Sequence, residues 1–88
     1  MFTGIIETVG EVEQIKKEGN NIIFTIKSKI SCELKIDQSL SHDGVCLTVV
    51  EKTESTHSVV AIKETSLKSN VKEWKVGTLI NLERAMKL

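Results

Sequence analysis

The sequence predicts an all-β fold of about six short strands and two short helices, closed into a small barrel or stacked as a small sandwich. Two observations carry this. Apolar residues come in short runs rich in Ile and Val, which favour strands over helices. Turn signals recur at a spacing of roughly 8–12 residues, the rhythm of small all-β domains. Proline is absent, and no linker or low-complexity stretch interrupts the chain.

The elements follow in order. Phe2 to Ile6 and Val9 to Ile15 read as one long strand or a bent pair, with Gly4 and Gly10 permitting a kink or bulge. Gly19-Asn20-Asn21 is a turn signal, and Ile22 to Lys27 is the returning strand of a hairpin. Ile30 and Leu34, four apart among polar neighbours, suit one short helical turn packed over a barrel end. Ile36 to Leu40 reads as a short strand, and His42-Asp43-Gly44 as a tight turn, because Asp-Gly accepts positive φ. Val45 to Lys52 is the clearest strand: Val45, Leu47 and Val49 share one face, Cys46, Thr48 and Val50 the other. Glu54-Ser55-Thr56 turns the chain, and Ser58 to Ile62 is the next strand. Glu64 to Asn70 reads as a short helix, Val76-Gly77 as a turn and Leu79 to Glu83 as the last strand. No internal repeat is visible.

Size and charge exclude several functions. The 88 residues form one domain with a modest core, burying roughly 60–65% of the unfolded surface. Charges balance to zero and are mixed along the chain, which argues against nucleic acid as the main partner. The aromatics Phe2, Phe24 and Trp74 are too few for a base-stacking platform in a basic groove. No stretch approaches transmembrane length, and no signal peptide is visible. A cytoplasmic protein with two reduced thiols, Cys32 and Cys46, is expected. With His42 and His57 these make no metal-ligand spacing. Taken alone, Cys46 reads either as a small buried thiol or, with Thr48 on its strand face, as the lining of a ligand pocket. His42 reads as a solvent-facing turn histidine, and His57 as lying on a turn.

Four segments carry a resemblance. The chain opens Met1-Phe2-Thr3-Gly4-Ile5-Ile6-Glu7 and continues through Ser39-Leu40-Ser41-His42-Asp43-Gly44-Val45-Cys46-Leu47-Thr48-Val49. It then reads Lys63-Glu64-Thr65 and closes with Val76-Gly77-Thr78-Leu79-Ile80-Asn81-Leu82-Glu83-Arg84-Ala85-Met86. In this order they resemble the N-terminal half of riboflavin synthase. The resemblance implies a small six-stranded antiparallel Greek-key barrel with one or two short helices, residues 1–88 being one barrel of a two-barrel enzyme. The family, a transferase of riboflavin biosynthesis, moves a four-carbon unit between two molecules of 6,7-dimethyl-8-ribityllumazine, giving riboflavin and a pyrimidinedione. It uses no metal and no external cofactor. The ring methyl is acidic because its anion delocalises, so the protein holds two rings together and manages protons.

The resemblance also assigns residues. Ser39 and Cys46 match catalytic positions. Gly4, Ile5, Ile6, Cys46, Leu47, Thr48, Ala61, Ile62, Lys63, Glu64 and Thr65 would contact the substrate, Gly4 letting the backbone approach the ring. Glu64 and Thr65 would meet the ring edge and ribityl hydroxyls. Asp37-Gln38 departs from the family's usual residues before the serine, and the proton-handling histidine belongs to the second barrel. A homodimer is expected for the isolated domain and a homotrimer for a full-length enzyme, without nucleic-acid or membrane partners. The rival readings are a non-catalytic antenna, as in the lumazine proteins of luminous bacteria, and a small barrel for partner or nucleic-acid binding.

Overall fold

Alternating burial along each strand sets the architecture: one face of every strand is apolar and turns inward, so the sheet must close to hide it. The computed structural model describes residues 6–63, 65 and 70–85. Six strands, β1 (Thr8–Glu18), β2 (Asn21–Lys27), β3 (Ser39–His42), β4 (Val45–Lys52), β5 (Thr56–Ala61) and β6 (Leu79–Arg84), form a closed barrel in the order β1-β2-β5-β4-β3-β6. Every pairing is antiparallel. The 3-10 turns Ser31–Glu33 and Asn70–Glu73 send Leu34, Val71 and Trp74 into the core. Phe24 and Trp74 meet edge to face, ring centres 5.0 Å apart, the arrangement that aromatic quadrupoles favour.

The expected strands are present with shifted bounds. The expected segment Phe2 to Ile5 lies outside the described residues, as does most of the expected helix Glu64 to Asn70. The strand expected at Ile36 to Leu40 is displaced: β3 begins at Ser39 and runs on through His42. Asp37, at φ 72°, breaks the extended backbone before it.

The barrel also contains a repeat that the sequence reading missed. Exchanging β1, β2 and β3 for β4, β5 and β6 reproduces every pairing in the barrel. The turn before β3 and the turn before β6 are stitched alike. Lys35 N donates to Gln38 Oε1 and Lys75 N to Thr78 Oγ1, both at 2.9 Å. Asp37 N bonds Val49 O and Gly77 N bonds Val12 O, both at 2.8 Å. Each turn thereby clamps a strand where its register shifts, after Val12 in β1 and after Val49 in β4. A backbone pattern of this kind needs no residue identity, so the two halves diverged in letters.

Both histidines correct the sequence reading. The hairpin turn is Asp43-Gly44 alone, with φ 52° and 84°, a two-residue turn with both φ positive. His42 is therefore the last strand residue, with the inward parity of Leu40, and is fully buried. His57 lies on β5 with the parity of Val59 and Ala61 and is also fully buried. Their Nε2 atoms are 2.9 Å apart. His42 Nδ1 lies 3.0 Å from Leu40 O, and His57 Nδ1 lies 3.1 Å from Ser31 Oγ, which is 2.8 Å from Ser28 Oγ. One set of tautomers satisfies the chain. His42 Nδ1–H donates to the carbonyl, leaving His42 Nε2 to accept from His57 Nε2–H. His57 Nδ1 then accepts from Ser31, and Ser31 from Ser28. Both rings are neutral in this arrangement. Burial holds His42 down to about 3, helped by the neighbouring His57, and burial alone holds His57 down to about 4.

Candidate functional site: the outer face of the β3–β4 hairpin

The β3–β4 hairpin pairs Ser39 with Thr48, Leu40 with Leu47, Ser41 with Cys46 and His42 with Val45. Because side chains alternate, burying Leu40, His42 and Leu47 turns Ser39, Ser41, Cys46 and Thr48 together to the outside. Opposed residues in such a ladder hold their Cβ atoms about 4.5–5.5 Å apart, so two serines, a thiol and a threonine make one polar patch. Cys46 and Thr48 are exposed, Ser39 is half-buried and Ser41 buried. Cys46 is thus no core thiol; both cysteines are free and exposed.

The hairpin is held from the β6 side. Asp43 N donates to Asn81 O at 2.8 Å, and Asp43 Oδ1 accepts from Asn81 N. Ser41 lies opposite Glu83 on β6. On the other side β5 follows, and the Val49–Val59 pairing carries Val60 and Ile62 onto the same outer strip as Thr48. Ile62 is half exposed and Lys63 is exposed, while Thr65 is half-buried. Ile36 and Val50 add exposed apolar surface near this patch.

Two concavities flank the patch. One, about 600 Å³, is lined by Glu33, Lys35, Ile36, Asp37, Gln38, Ser39, Arg84 and Ala85. The other, about 410 Å³, includes Ile6, Ser41, Asn70, Asn81 and Glu83. Arg84 anchors the rim of the first. Its Nε lies 3.0 Å from both carboxylate oxygens of Glu7, its Nη2 also meets Glu7, and its Nη1 reaches Glu33 Oε1 at 3.3 Å. The guanidinium holds the Glu7 carboxyl below the usual carboxylate range.

The structure brings Ser39, Cys46 and Thr48 together, with Ile62 and Lys63 on the neighbouring strand end and Ile6 in the cavity beside Ser41. Leu47 and Ala61 point into the core, so only their backbone groups can meet a ligand. Gly4, Ile5 and Glu64 lie outside the described residues. The sequence reading missed Ser41. Its signal was the alternation Ser39, Ser41 against Leu40, His42, hidden by ending the strand at Leu40. The two histidines are inside the barrel and face away from this patch.

Comparison with known proteins agrees with the geometry. The family described as the lumazine binding domain matches residues 3–85. A riboflavin synthase of Bacillus subtilis (strain 168) is 40% identical over 98% of this chain, and one of Brucella abortus (strain 2308) is 34% identical over all of it. The chain spans 40% of the first relative's length and 46% of the second's. Among solved structures, LumP bound to 6,7-dimethyl-8-(1'-D-ribityl) lumazine superposes with a TM-score of 0.88 at 23% identity, over 97% of this chain and 49% of that one. LumP with riboflavin gives 0.87 at 24% identity, over 96% and 46%. LumP with flavin mononucleotide gives 0.85 at 23%, over 96% and 49%. With a closed six-stranded barrel, an ordered set of motifs and a match over nearly its whole length, this chain belongs to the lumazine-binding domain family.

Proposed function

We propose that the chain is the N-terminal lumazine-binding barrel of a riboflavin synthase, residues 1–88 forming one barrel and supplying half of the site for four-carbon transfer between two lumazines. The single observation that carries this reading is the outward patch of Ser39, Cys46 and Thr48, built by one hairpin register beside Ile62 and Lys63. A flat heterocycle lies against Ile62 and the β4 edge, where apolar contact and backbone groups hold it. Thr48 and Ser39 hydroxyls both donate and accept, which suits a ring edge and a polyol chain. Ser39 and Cys46 position the ring or its water at the reacting face. Lys63, Glu64 and Thr65 meet the ring edge and nearer hydroxyls, and Gly4, Ile5 and Ile6 close the site. Proton transfer from the buried histidines is excluded by their inward orientation, so it falls to a second barrel.

Riboflavin should quench on titration with the chain, saturating at one ligand per barrel. Thr48→Val should weaken binding by about 1–2 kcal/mol through loss of a hydroxyl hydrogen bond. Unchanged affinity would assign the contact to the backbone at this position. No quenching at stoichiometric protein would sink the lumazine-binding reading.

The chain is also expected to form a homodimer at high concentration. Val9 and Leu79 sit on adjacent strands of the outer face, 49% and 66% exposed. Such a strip favours burial against a like surface, and a two-fold contact is the commonest way to close it. Sedimentation equilibrium at millimolar concentration is the measurement, and a monomer there rejects the expectation.

A further inference from the structure

Asp37 adopts a left-handed backbone, φ 72°, where its counterpart in the other half of the barrel is Gly77 at φ 94°. A residue with a Cβ is disfavoured in that region, and glycine is not. The carboxylate so placed lines the 600 Å³ groove that opens beside Ser39. The groove's charge is then settled by its partners. Arg84 is shared between Glu7 and Glu33, so its guanidinium is occupied by two carboxylates. Counting Lys35 and Asp37, three carboxylates stand against two cations, and the groove is net anionic with its arginine already engaged.

Resting on the proposed lumazine-binding function, we infer that this groove receives the far end of the ligand's ribityl chain, and that Asp37 makes the site select the neutral polyol over its phosphate ester. Ser39 joins groove and patch, since it lines the first and faces Thr48 in the second. From Val45, at the Lys63 end of β4, to Thr48 is on the order of 10 Å of strand, close to the length of a ring system with an extended five-carbon chain. A ring at the Ile62 end therefore delivers its terminal hydroxyls to Gln38, Ser39 and Asp37. Hydroxyls donate to a carboxylate, whereas a phosphate dianion meets a like charge there. The fold by itself does not discriminate: LumP is crystallised with riboflavin and with flavin mononucleotide. Selection must come from side chains, and Asp37 is placed to supply it.

The test is a parallel titration of the chain with riboflavin and with flavin mononucleotide, read by flavin fluorescence. The mononucleotide should bind more weakly by about tenfold at low salt, and the gap should narrow as salt rises. In Asp37→Gly and Asp37→Asn the affinity ratio should fall several-fold towards unity. Both replacements accept a left-handed backbone, so the turn is kept. Equal affinities in the unaltered chain overturn the inference. So does a ratio that neither variant moves while riboflavin still binds, and that result leaves the lumazine-binding function standing. Failure of the unaltered chain to bind either riboflavin or the lumazine overturns that function, and this inference with it.

Discussion

Turnover of 6,7-dimethyl-8-ribityllumazine by the 88-residue chain is expected to fall below that of a two-barrel riboflavin synthase by at least about 10²–10⁴, although the chain binds the substrate. The reasons are geometric. Four-carbon transfer needs two rings face to face, and the hairpin patch holds one. A second identical barrel could present a second ring, but it would bring the same side chains and the same inward histidines. Positioning is worth several further orders of magnitude, because an ill-set pair of reactants forfeits the entropy that a complete site has already removed. The measurement is riboflavin formation by absorbance, with purified chain and a full-length relative such as the Bacillus subtilis enzyme under one set of conditions. Rates within tenfold of the control would show that a single barrel carries the complete site.

Stability should fall steeply with mild acid. His42 and His57 are neutral in the barrel, held down to about 3 and about 4, whereas an unfolded histidine titrates near 6.5. Their folded values are depressed, so the unfolded chain takes up protons first as pH drops. Stability is therefore fully present above about pH 6.5 and is lost progressively down to about pH 4. Integrating two such groups gives a loss of about 3–4 kcal/mol between pH 7 and pH 5, a large part of the total for a small domain. The lowered Glu7 carboxyl acts in the same direction, but in a more acid window. Urea unfolding at pH 7, 6 and 5 measures this, and the slope should approach two protons per molecule near pH 5. Replacing both rings, in His42→Leu with His57→Leu, should flatten that dependence. A flat profile in the unaltered chain would show that the rings are solvated or paired with a carboxylate, contrary to the buried ring-to-ring bond.

That bond also measures how far letters alone can be read. The alternation in Val45 to Lys52 placed Cys46 and Thr48 on one face and Leu47 on the other, and the structure agrees. For His42 the letters pointed outwards, because a polar residue beside Asp-Gly resembles turn chemistry. What buries it is a partner 15 residues away, and no local pattern announces such a partner. Ser41 was overlooked for a related reason: one misplaced strand boundary hid its parity with Ser39. Arg84 and Glu7, 77 positions apart, could be joined only by closing the barrel.

The sequence by itself determined the all-β class, the Asp43-Gly44 hairpin with its two faces, and the order of motifs that identifies the family. Those are local properties, set by φ preferences at single residues and by a side-chain period of two along single strands. Closure in the order β1-β2-β5-β4-β3-β6, the twofold likeness of the halves, the neutral histidine pair and the anionic groove beside Ser39 were decided by the tertiary structure. Each depends on pairings between distant segments. Such pairings arise when several half-buried strands must hide their apolar faces at once, and one strand's pattern leaves its neighbour unspecified.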